Sequence, residues 1–296
     1  MPFGEGYSCC QRCQTLVADC PPAQRDPRVT NDAADYYGQQ YWFGHQTGDL
    51  SLPDIVSRSR TDLSERCIHW LRSVLQYKIP PAKILEIGSA HGGFVAMLRQ
   101  AGFDASGLEL SPSIVQFAIE NFHVPMMTGP VEDQSIPQSS LDAIVMLDVM
   151  EHLPNPQETF ARCLAVLKPD GLIFAQTPCY PEHKSLEELQ SSKHQFPRML
   201  DRNEHLFLFS EQSVKTLFSR LGAEYLEFIP AIFSFYDMTF VVSRQPLIPV
   251  TKELQEKSLS QTVNGRFIQA LLDLDQRRLN LLAKYRQLRD MQPPTS

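Results

Sequence analysis

The sequence predicts an α/β fold, a mostly parallel sheet with an antiparallel C-terminal strand and helices on both faces. Three observations predict it. From Lys83 onward, short apolar runs alternate with stretches of helical spacing, a glycine-rich bend follows the first such run, and two helix starts carry a proline behind a side-chain cap.

Taken in order, Ser51 to Lys78 sets Ile55, Leu63, Cys67, Trp70, Leu71 and Leu75 at helical spacing, so a helix leads into the sheet. The alternation then reads strand 83–87, a helix from about 91 to 101, strand 103–110, helix 112–122, a short strand at 124–127, strand 141–148, helix 156–168 and strand 171–177. Ser111-Pro112 and Asn155-Pro156 each put a capping side chain before a proline at the first helical position, and Asn155 with Glu158 has the form of a capping box. The polar stretch from Pro178 to Asn203 exceeds an ordinary connection, which marks a lid-like insertion over about 178–208. A helix follows at 211–221, and Tyr225 to Val242 reads as two strands split near Ser234 to Asp237, an antiparallel hairpin closing the sheet. Gly265 to Met291 spaces Phe267, Leu271, Leu274, Arg278, Leu281, Tyr285 and Leu288 by alternating fours and threes. Such a heptad stripe either packs the helix on its own domain or pairs it in a homodimer. The chain thus divides into a Cys- and Tyr-rich N-terminal cap over 1–50, an α/β domain over 51–245 and a helical extension over 246–296.

With 296 residues, 43% of them hydrophobic, the chain can bury a full core. Its net charge of -7 and lack of a long basic run speak against nucleic acid or an anionic membrane as partner and favour a small molecule. The Met1 end has no basic-then-apolar signal pattern, and Tyr225 to Val242 is broken by Glu227, Pro230 and Asp237, so a cytoplasmic protein is expected. The cysteines number seven, and Cys67, Cys163 and Cys179 stand singly in core-like contexts that suit reduced thiols.

The bend Leu85-Glu-Ile-Gly-Ser-Ala-His-Gly-Gly93 carries the first chemical signal. Glycine lets a backbone pass close to a ligand at the carboxyl end of a strand, and Glu109, twenty-one residues after Gly88, ends the next strand where a carboxylate can take both hydroxyls of a ribose. The two together read as a nucleoside clamp; a tight turn without a ligand is the alternative. A dinucleotide site wants G-x-G-x-x-G, but Ala90 stands at the middle glycine, and Glu86 would repel a pyrophosphate while suiting a cationic ligand.

Here the residues resemble the class I S-adenosylmethionine-dependent methyltransferases, whose first motif has the form acidic-x-G-x-G-x-G. In this sequence it stands as Glu86-Ile-Gly88-Ser89-Ala90-His91-Gly92, departing at Ala90. Leu141-Asp-Ala-Ile-Val-Met-Leu-Asp148-Val149-Met-Glu151-His152-Leu-Pro, Leu167-Lys-Pro-Asp-Gly171 and His205-Leu-Phe-Leu-Phe-Ser210 look like the remaining signposts. The resemblance implies a Rossmann-like methyltransferase fold with S-adenosylmethionine as cofactor. It implies Glu86 and Gly88 at the methionine part, with Ser89, Ala90 and Gly92 in the same loop. Glu109 would hold the ribose with Leu110 beside the adenine, and Asp148 with Val149 would form the floor under the sulfonium. The adenine segment reads Gly129-Pro130-Val131-Glu132-Asp133, with proline where the family commonly has an acid, so Val131 and Glu132 or Asp133 are its candidates. Plain solvation at strand ends is the competing role for these carboxylates.

Methyl transfer is an in-line displacement that needs alignment and, where the acceptor carries one, disposal of a proton. His152 is the candidate base, with a structural role in the turn as its rival, and His205 is a similar candidate on the acceptor side. Glu151 and His152 as metal ligands make a poor chelate without a further ligand, so no metal is expected. At the N-terminus, Cys10-Gln-Arg-Cys13 followed by Tyr36-Tyr37-Gly-Gln-Gln-Tyr41-Trp42 is similar to methyltransferases of sugars, glycan precursors and natural products, where a Cys-x2-Cys zinc module precedes a tyrosine-rich helix. One Cys pair of that pattern is missing. Cys9 and Cys20 could complete four thiolates, but adjacent Cys9 and Cys10 cannot easily face one tetrahedral centre, and a degenerate remnant is expected. Tyr37 and Tyr41, one helical turn apart, could cap cofactor and acceptor or pack in the core. The expected function is methyl transfer to a small-molecule acceptor; the alternative is a silent cofactor-binding scaffold that recruits a partner through its N-terminal segment and C-terminal helix.

Overall fold

A computed structural model describes residues 1–19, 28–48 and 53–290. Its strands are β1 (Pro2–Gly4), β2 (Tyr7–Cys9), β3 (Leu16–Ala18), β4 (Lys83–Ile87), β5 (Asp104–Glu109), β6 (Met126–Thr128), β7 (Leu141–Leu147), β8 (Leu167–Pro178), β9 (Phe207–Leu208), β10 (Tyr225–Ile229) and β11 (Asp237–Ser243). Seven form the main sheet in the order β10-β11-β8-β7-β4-β5-β6. From β8 to β6 all neighbours are parallel, while β11 runs antiparallel to β8 and β10 antiparallel to β11. Order reverses between β4 and β7, and a ligand crevice in an open parallel sheet lies at such a reversal, at the carboxyl ends of the strands.

Period-two alternation drives both faces into cover. Ala143 and Val145 enter one core with Trp70, Leu71, Phe94 and Leu98, whereas Ile144 and Met146 enter the other with Phe160, Phe218 and Phe240. The caps form as the sequence indicates. Ser111 Oγ accepts from the Ile114 N–H and Asn155 Oδ1 from the Glu158 N–H, each ahead of a proline at the helix start. The lead-in helix runs through Ile55–Asp62, Leu63–Cys67 and Ile68–Leu75, with a wider π-type turn in the middle segment.

Three features depart from expectation. Residues 1–19, for which the sequence indicated a Cys- and Tyr-rich cap and no strands, form three short strands that β9 extends into a second, antiparallel sheet. Tyr7, Leu16 and Ala18 bury with Tyr180, Leu189, Phe196 and Leu208, so the insertion and the N-terminal cap share one small core. β8 begins at Leu167, not 171, because Leu167 already pairs with Leu141 ahead of a register shift. The helix Val263–Asp290 docks through Ile268, Leu272 and Asp275, the last bound by Arg72 Nη2 at 2.8 Å. The heptad stripe does not make that contact: Phe267, Leu274, Leu281, Tyr285 and Leu288 are all exposed. Met291 lies outside the described residues.

Candidate functional site

A cavity of about 900 Å³ opens where β4, β5 and β7 end. On the β4–β5 side the chain turns at Gly88, whose φ is +71° and whose N–H donates to the Leu108 carbonyl at 2.8 Å. A Cβ there would stand 2.3 Å from Val149 Cγ2, so only glycine lets the turn close over the next loop. Ala90 also takes a positive φ of 45°, strain of order 1–3 kcal/mol for a residue with a Cβ. It is held there by its N–H donating to Glu109 Oε2 at 3.0 Å. His91 locks the loop from behind: the Gly93 N–H donates to its Nδ1, which leaves Nε2–H for Asp62 Oδ2 at 3.1 Å. Arg58 and Arg66 flank the same aspartate.

Glu86 and Glu109, on adjacent strands, both stand on the cavity wall. Glu109 accepts from the N–H groups of Ala90, Leu110 and Ser111, yet burial still raises its pKa. Glu86 is 5% exposed, and its Oε2 has no hydrogen-bond partner. Burial, then the nearby Glu109 charge, holds its pKa well above the ordinary carboxylate range. A buried acid in this state is relieved by keeping its proton or by a cation set against it.

Leu110, Val131 and Glu132 line the wall beyond β5, with the Thr159 hydroxyl hydrogen-bonded to Glu132. Asp133 lies off the wall, 3.5 Å from Arg28. Ser89 is on the wall, but Gly92 is not. Gly92 is the left-handed entry to the helix Gly93–Ala101, with a space for Cβ closed by Ala118 at 2.8 Å, and its glycine serves helix packing. Asp148, at φ +56°, ends β7 with Val149 behind it. Gln176 Nε2 donates to Asp148 Oδ1 at 3.0 Å, Trp70 Nε1 donates to Gln176 Oε1 at 3.1 Å, and Arg66 Nη1 lies 3.7 Å from Asp148 Oδ2. Burial raises the Asp148 pKa and pushes that of neighbouring Asp237 up to about 8.

The far end is assembled from three separate stretches of chain. One turn, Met150–His152, sets Glu151 and His152; the insertion brings Glu204 and His205; the segment before the lead-in helix brings Tyr37 and Tyr41. His152 Nδ1 is 2.8 Å from the Glu204 carbonyl and 3.2 Å from the Tyr37 hydroxyl, and His205 Nδ1 is 2.7 Å from the Met199 carbonyl. A carbonyl only accepts, so Nδ1 carries the proton in each ring and the Nε2 of a neutral ring keeps its lone pair. Burial, then the neighbouring His205, lowers the His152 pKa to about 3. Glu151 is 1% exposed, receives the Thr177 hydroxyl on Oε2 at 3.0 Å and turns Oε1 to within 4.0 Å of His152 Nε2. Tyr36 and His45 both reach Glu204 Oε1, fastening the tyrosine segment to the insertion. The partner that Glu151 and His152 lack in sequence is therefore His205.

Among the described residues, Cys9, Cys10 and Cys13 are not part of a group of three converging ligating atoms. Cys9 Sγ turns to Gln14, Cys13 Sγ to Thr15, and Cys20 lies outside the described residues. Sequence reasoning missed Asp62, Arg66, Glu204 and Asp237 on the cavity wall. For Asp62 and Arg66 a signal existed, an i,i+4 pair of opposite charge on the lead-in helix; for Glu204 and Asp237 none did.

Residues 59–227 match a family model described as a methyltransferase domain. The chain is 28% identical over 105 residues to a ubiquinone biosynthesis O-methyltransferase of Xanthomonas campestris pv. campestris (strain B100), covering 33% of this chain and 44% of that protein. It is 26% identical over 116 residues to a protein of the same description from Bordetella avium (strain 197N), covering 37% and 48%. The chain thus spans about half the length of the curated relatives it matches. Among solved structures it resembles a chain from the complex between the Haloferax volcanii Trm112 methyltransferase activator and a methyltransferase. There the TM-score is 0.51 at 15% identity, over 64% of this chain and 94% of that one, a likeness of fold.

Proposed function

The chain belongs to the methyltransferase domain family, and on that premise we propose that it moves a methyl group from S-adenosylmethionine to the oxygen of a small cytoplasmic acceptor. Glu86 carries this reading: a buried carboxylate oxygen without a partner, facing the cavity, is a fit for the ammonium of a methionine moiety. Glu109, with both oxygens already fixed by backbone N–H groups, is oriented to receive the two hydroxyls of a ribose on its remaining lone pairs. Gly88, Ser89 and Ala90 give the close backbone approach, Leu110 and Val131 the apolar sides for an adenine, and Asp148 with Val149 the floor for a sulfonium. S-adenosylmethionine, when bound, supplies a methyl carbon made electrophilic by that sulfonium.

Several observations support a small, ring-bearing acceptor. Tyr37, Tyr41, Trp42, Phe233 and Tyr236 line the cavity, and amphipathic rings suit hydroxylated rings such as sugars, glycan precursors and natural products. The curated relatives are described as O-methyltransferases, which supports oxygen as the accepting atom. His152, with Nδ1–H held by the Glu204 carbonyl and Nε2 open, is the group to align an acceptor hydroxyl and take its proton as the new bond draws electrons from oxygen. The exposed stripe from Phe267 to Leu288 supports self-association through that helix.

Calorimetry tests the premise. S-adenosylmethionine binds at one site per chain, NAD(H) gives no heat, and Glu86→Gln weakens binding at least tenfold; no binding at millimolar cofactor overturns the assignment. His152→Gln lowers kcat while leaving cofactor affinity unchanged.

A further inference from the structure

We propose that Asp237 selects the acceptor: the small ring methylated on oxygen also carries a protonated amine, and the Asp237 carboxyl receives that ammonium while the hydroxyl faces His152. Resting on the methyl-transfer reading, this narrows the acceptor to a ring-bearing amino alcohol. Asp237 is only 8% exposed and stands on the cavity wall, and among the described residues its carboxyl has no hydrogen-bond or ion-pair partner. The acids beside it are already engaged: Gln176 Nε2 donates to Asp148, and the Thr177 hydroxyl donates to Glu151. A polar group so enclosed and left without a partner is costly unless a ligand completes it.

Its strand explains its direction. Asp237 opens β11, which runs antiparallel to β8, so this first residue lies at the carboxyl rim of the sheet beside Pro178. Alternation puts it on the same face as Thr239, whose hydroxyl donates to Gln176 Oε1, and Val241, which enters the core of Trp70 and Phe94. The order β11-β8-β7-β4 sets Asp237 three strand spacings, roughly 14 Å, from the strand of Glu86. It therefore belongs to the acceptor end of the cavity and not to the methionine end.

The surroundings suit a cation. Asp148 acts on Asp237, and Asp237 in turn on Glu151, the neighbour of His152. Arg66, whose charge opposes theirs, is drawn to Asp62 and Asp148 and lies 5.2 Å over the Phe233 ring. Phe233 and Tyr236 line the same wall with their rings stacked at 5.6 Å, and a carboxyl beside aromatic faces is a pairing that holds an ammonium. An acceptor bearing a carboxylate meets three acids here and is repelled. Burial, then the Asp148 charge, raises the Asp237 pKa to about 8. Without an acceptor the carboxyl thus keeps its proton at neutral pH, and an arriving ammonium drives that proton to solvent.

Calorimetry on the full chain with S-adenosylhomocysteine tests this with three probes: trans-2-aminocyclohexanol, trans-1,2-cyclohexanediol and trans-2-hydroxycyclohexanecarboxylate. The amino alcohol is expected to bind about ten- to hundredfold tighter than the diol, the range for a hydrogen bond between charged groups, and the carboxylate not at all. Heats that vary with the ionisation enthalpy of the buffer report the proton released at neutral pH. In Asp237→Asn the amino alcohol and the diol converge to within about threefold, and proton release disappears. Asp237→Ser serves where circular dichroism shows that the amide variant does not fold. Equal binding of the three probes, binding of none, or a preference for the amine that survives in Asp237→Asn overturns the proposal. S-adenosylhomocysteine affinity, measured first, keeps the two readings apart: its absence sinks methyl transfer and leaves amine recognition to be decided on the unloaded chain, whereas retained affinity without a preference for the amine sinks only the role of Asp237.

Discussion

The two ends of the cavity are built on different principles. At the β4–β5 end, Glu86, Gly88, Ala90 and Glu109 come from one strand-turn-helix and the strand beside it, and backbone N–H groups fix them to one another. At the far end, Tyr37, Glu151, His152, Glu204 and His205 come from three distant stretches and are held side chain to carbonyl or side chain to side chain. The first end is preorganised by the sheet itself. The second depends on the insertion and the N-terminal sheet docking correctly, and is the part of the cavity that can change without disturbing the fold.

The harshest way to break the comparison is Gly88→Val. The positive φ and the 2.3 Å approach to Val149 forbid a branched side chain, so the turn must move and both carboxylates move with it. Cofactor affinity falls more than about a hundredfold, equal to at least about 2.7 kcal/mol, and the melting temperature drops; binding within tenfold of wild type would show that the loop is not the cradle.

Glu109→Gln is milder and tests the same end. An amide NH₂ set against a cluster of N–H donors leaves at least one of them unsatisfied, at about 1–3 kcal/mol. Titration of the variant with S-adenosylmethionine is expected to give a ten- to hundredfold loss.

Asp62→Asn probes the joint between the lead-in helix and the loop. Burial raises the Asp62 pKa, but the His91 hydrogen bond and the Arg58 and Arg66 charges outweigh it and hold the carboxyl below its ordinary value. A depressed folded-state pKa stabilises above the unfolded value and loses that contribution as pH falls through the folded one. Denaturant unfolding therefore shows wild type more stable than Asp62→Asn at neutral pH by about 1–3 kcal/mol. The gap narrows as pH drops below about 4, and a gap that widens on acidification contradicts the ion pair.

The same contrast explains what could be read from the residues. Strand ends and caps announce themselves locally: Ser111-Pro112 and Asn155-Pro156 fix helix starts, and Glu86, Glu109 and Asp148 each close an apolar run at the rim. The N-terminal sheet is illegible because three-residue strands are too short to alternate, and its stability comes from Tyr180, Phe196 and Leu208, far along the chain. His205 sits beside His152 only because β9 pairs with β3 and so seats the insertion, a contact that no spacing encodes. On the helix Val263–Asp290 the periodic stripe was visible, but periodicity does not say which face docks. Ile268, Leu272 and the Asp275–Arg72 pair outcompete the heptad positions for the body of the protein.

Tyr37→Phe is the smallest change and sharpens the comparison most. Its hydroxyl lies 3.2 Å from His152 Nδ1, where the Glu204 carbonyl already takes the proton at 2.8 Å, so the substitution removes a shared bond and leaves the imidazole tautomer intact. Shared bonds of this kind contribute about 0.5–1 kcal/mol, and the ring keeps its edge contact with Tyr36. Cofactor affinity and melting temperature are therefore expected to stay within error, while KM for the acceptor rises by about two- to fivefold. If instead cofactor affinity falls with KM, the tyrosine segment closes over both ligands at once, and the division of the cavity into a cofactor end set by the sheet and an acceptor end set by its additions does not hold.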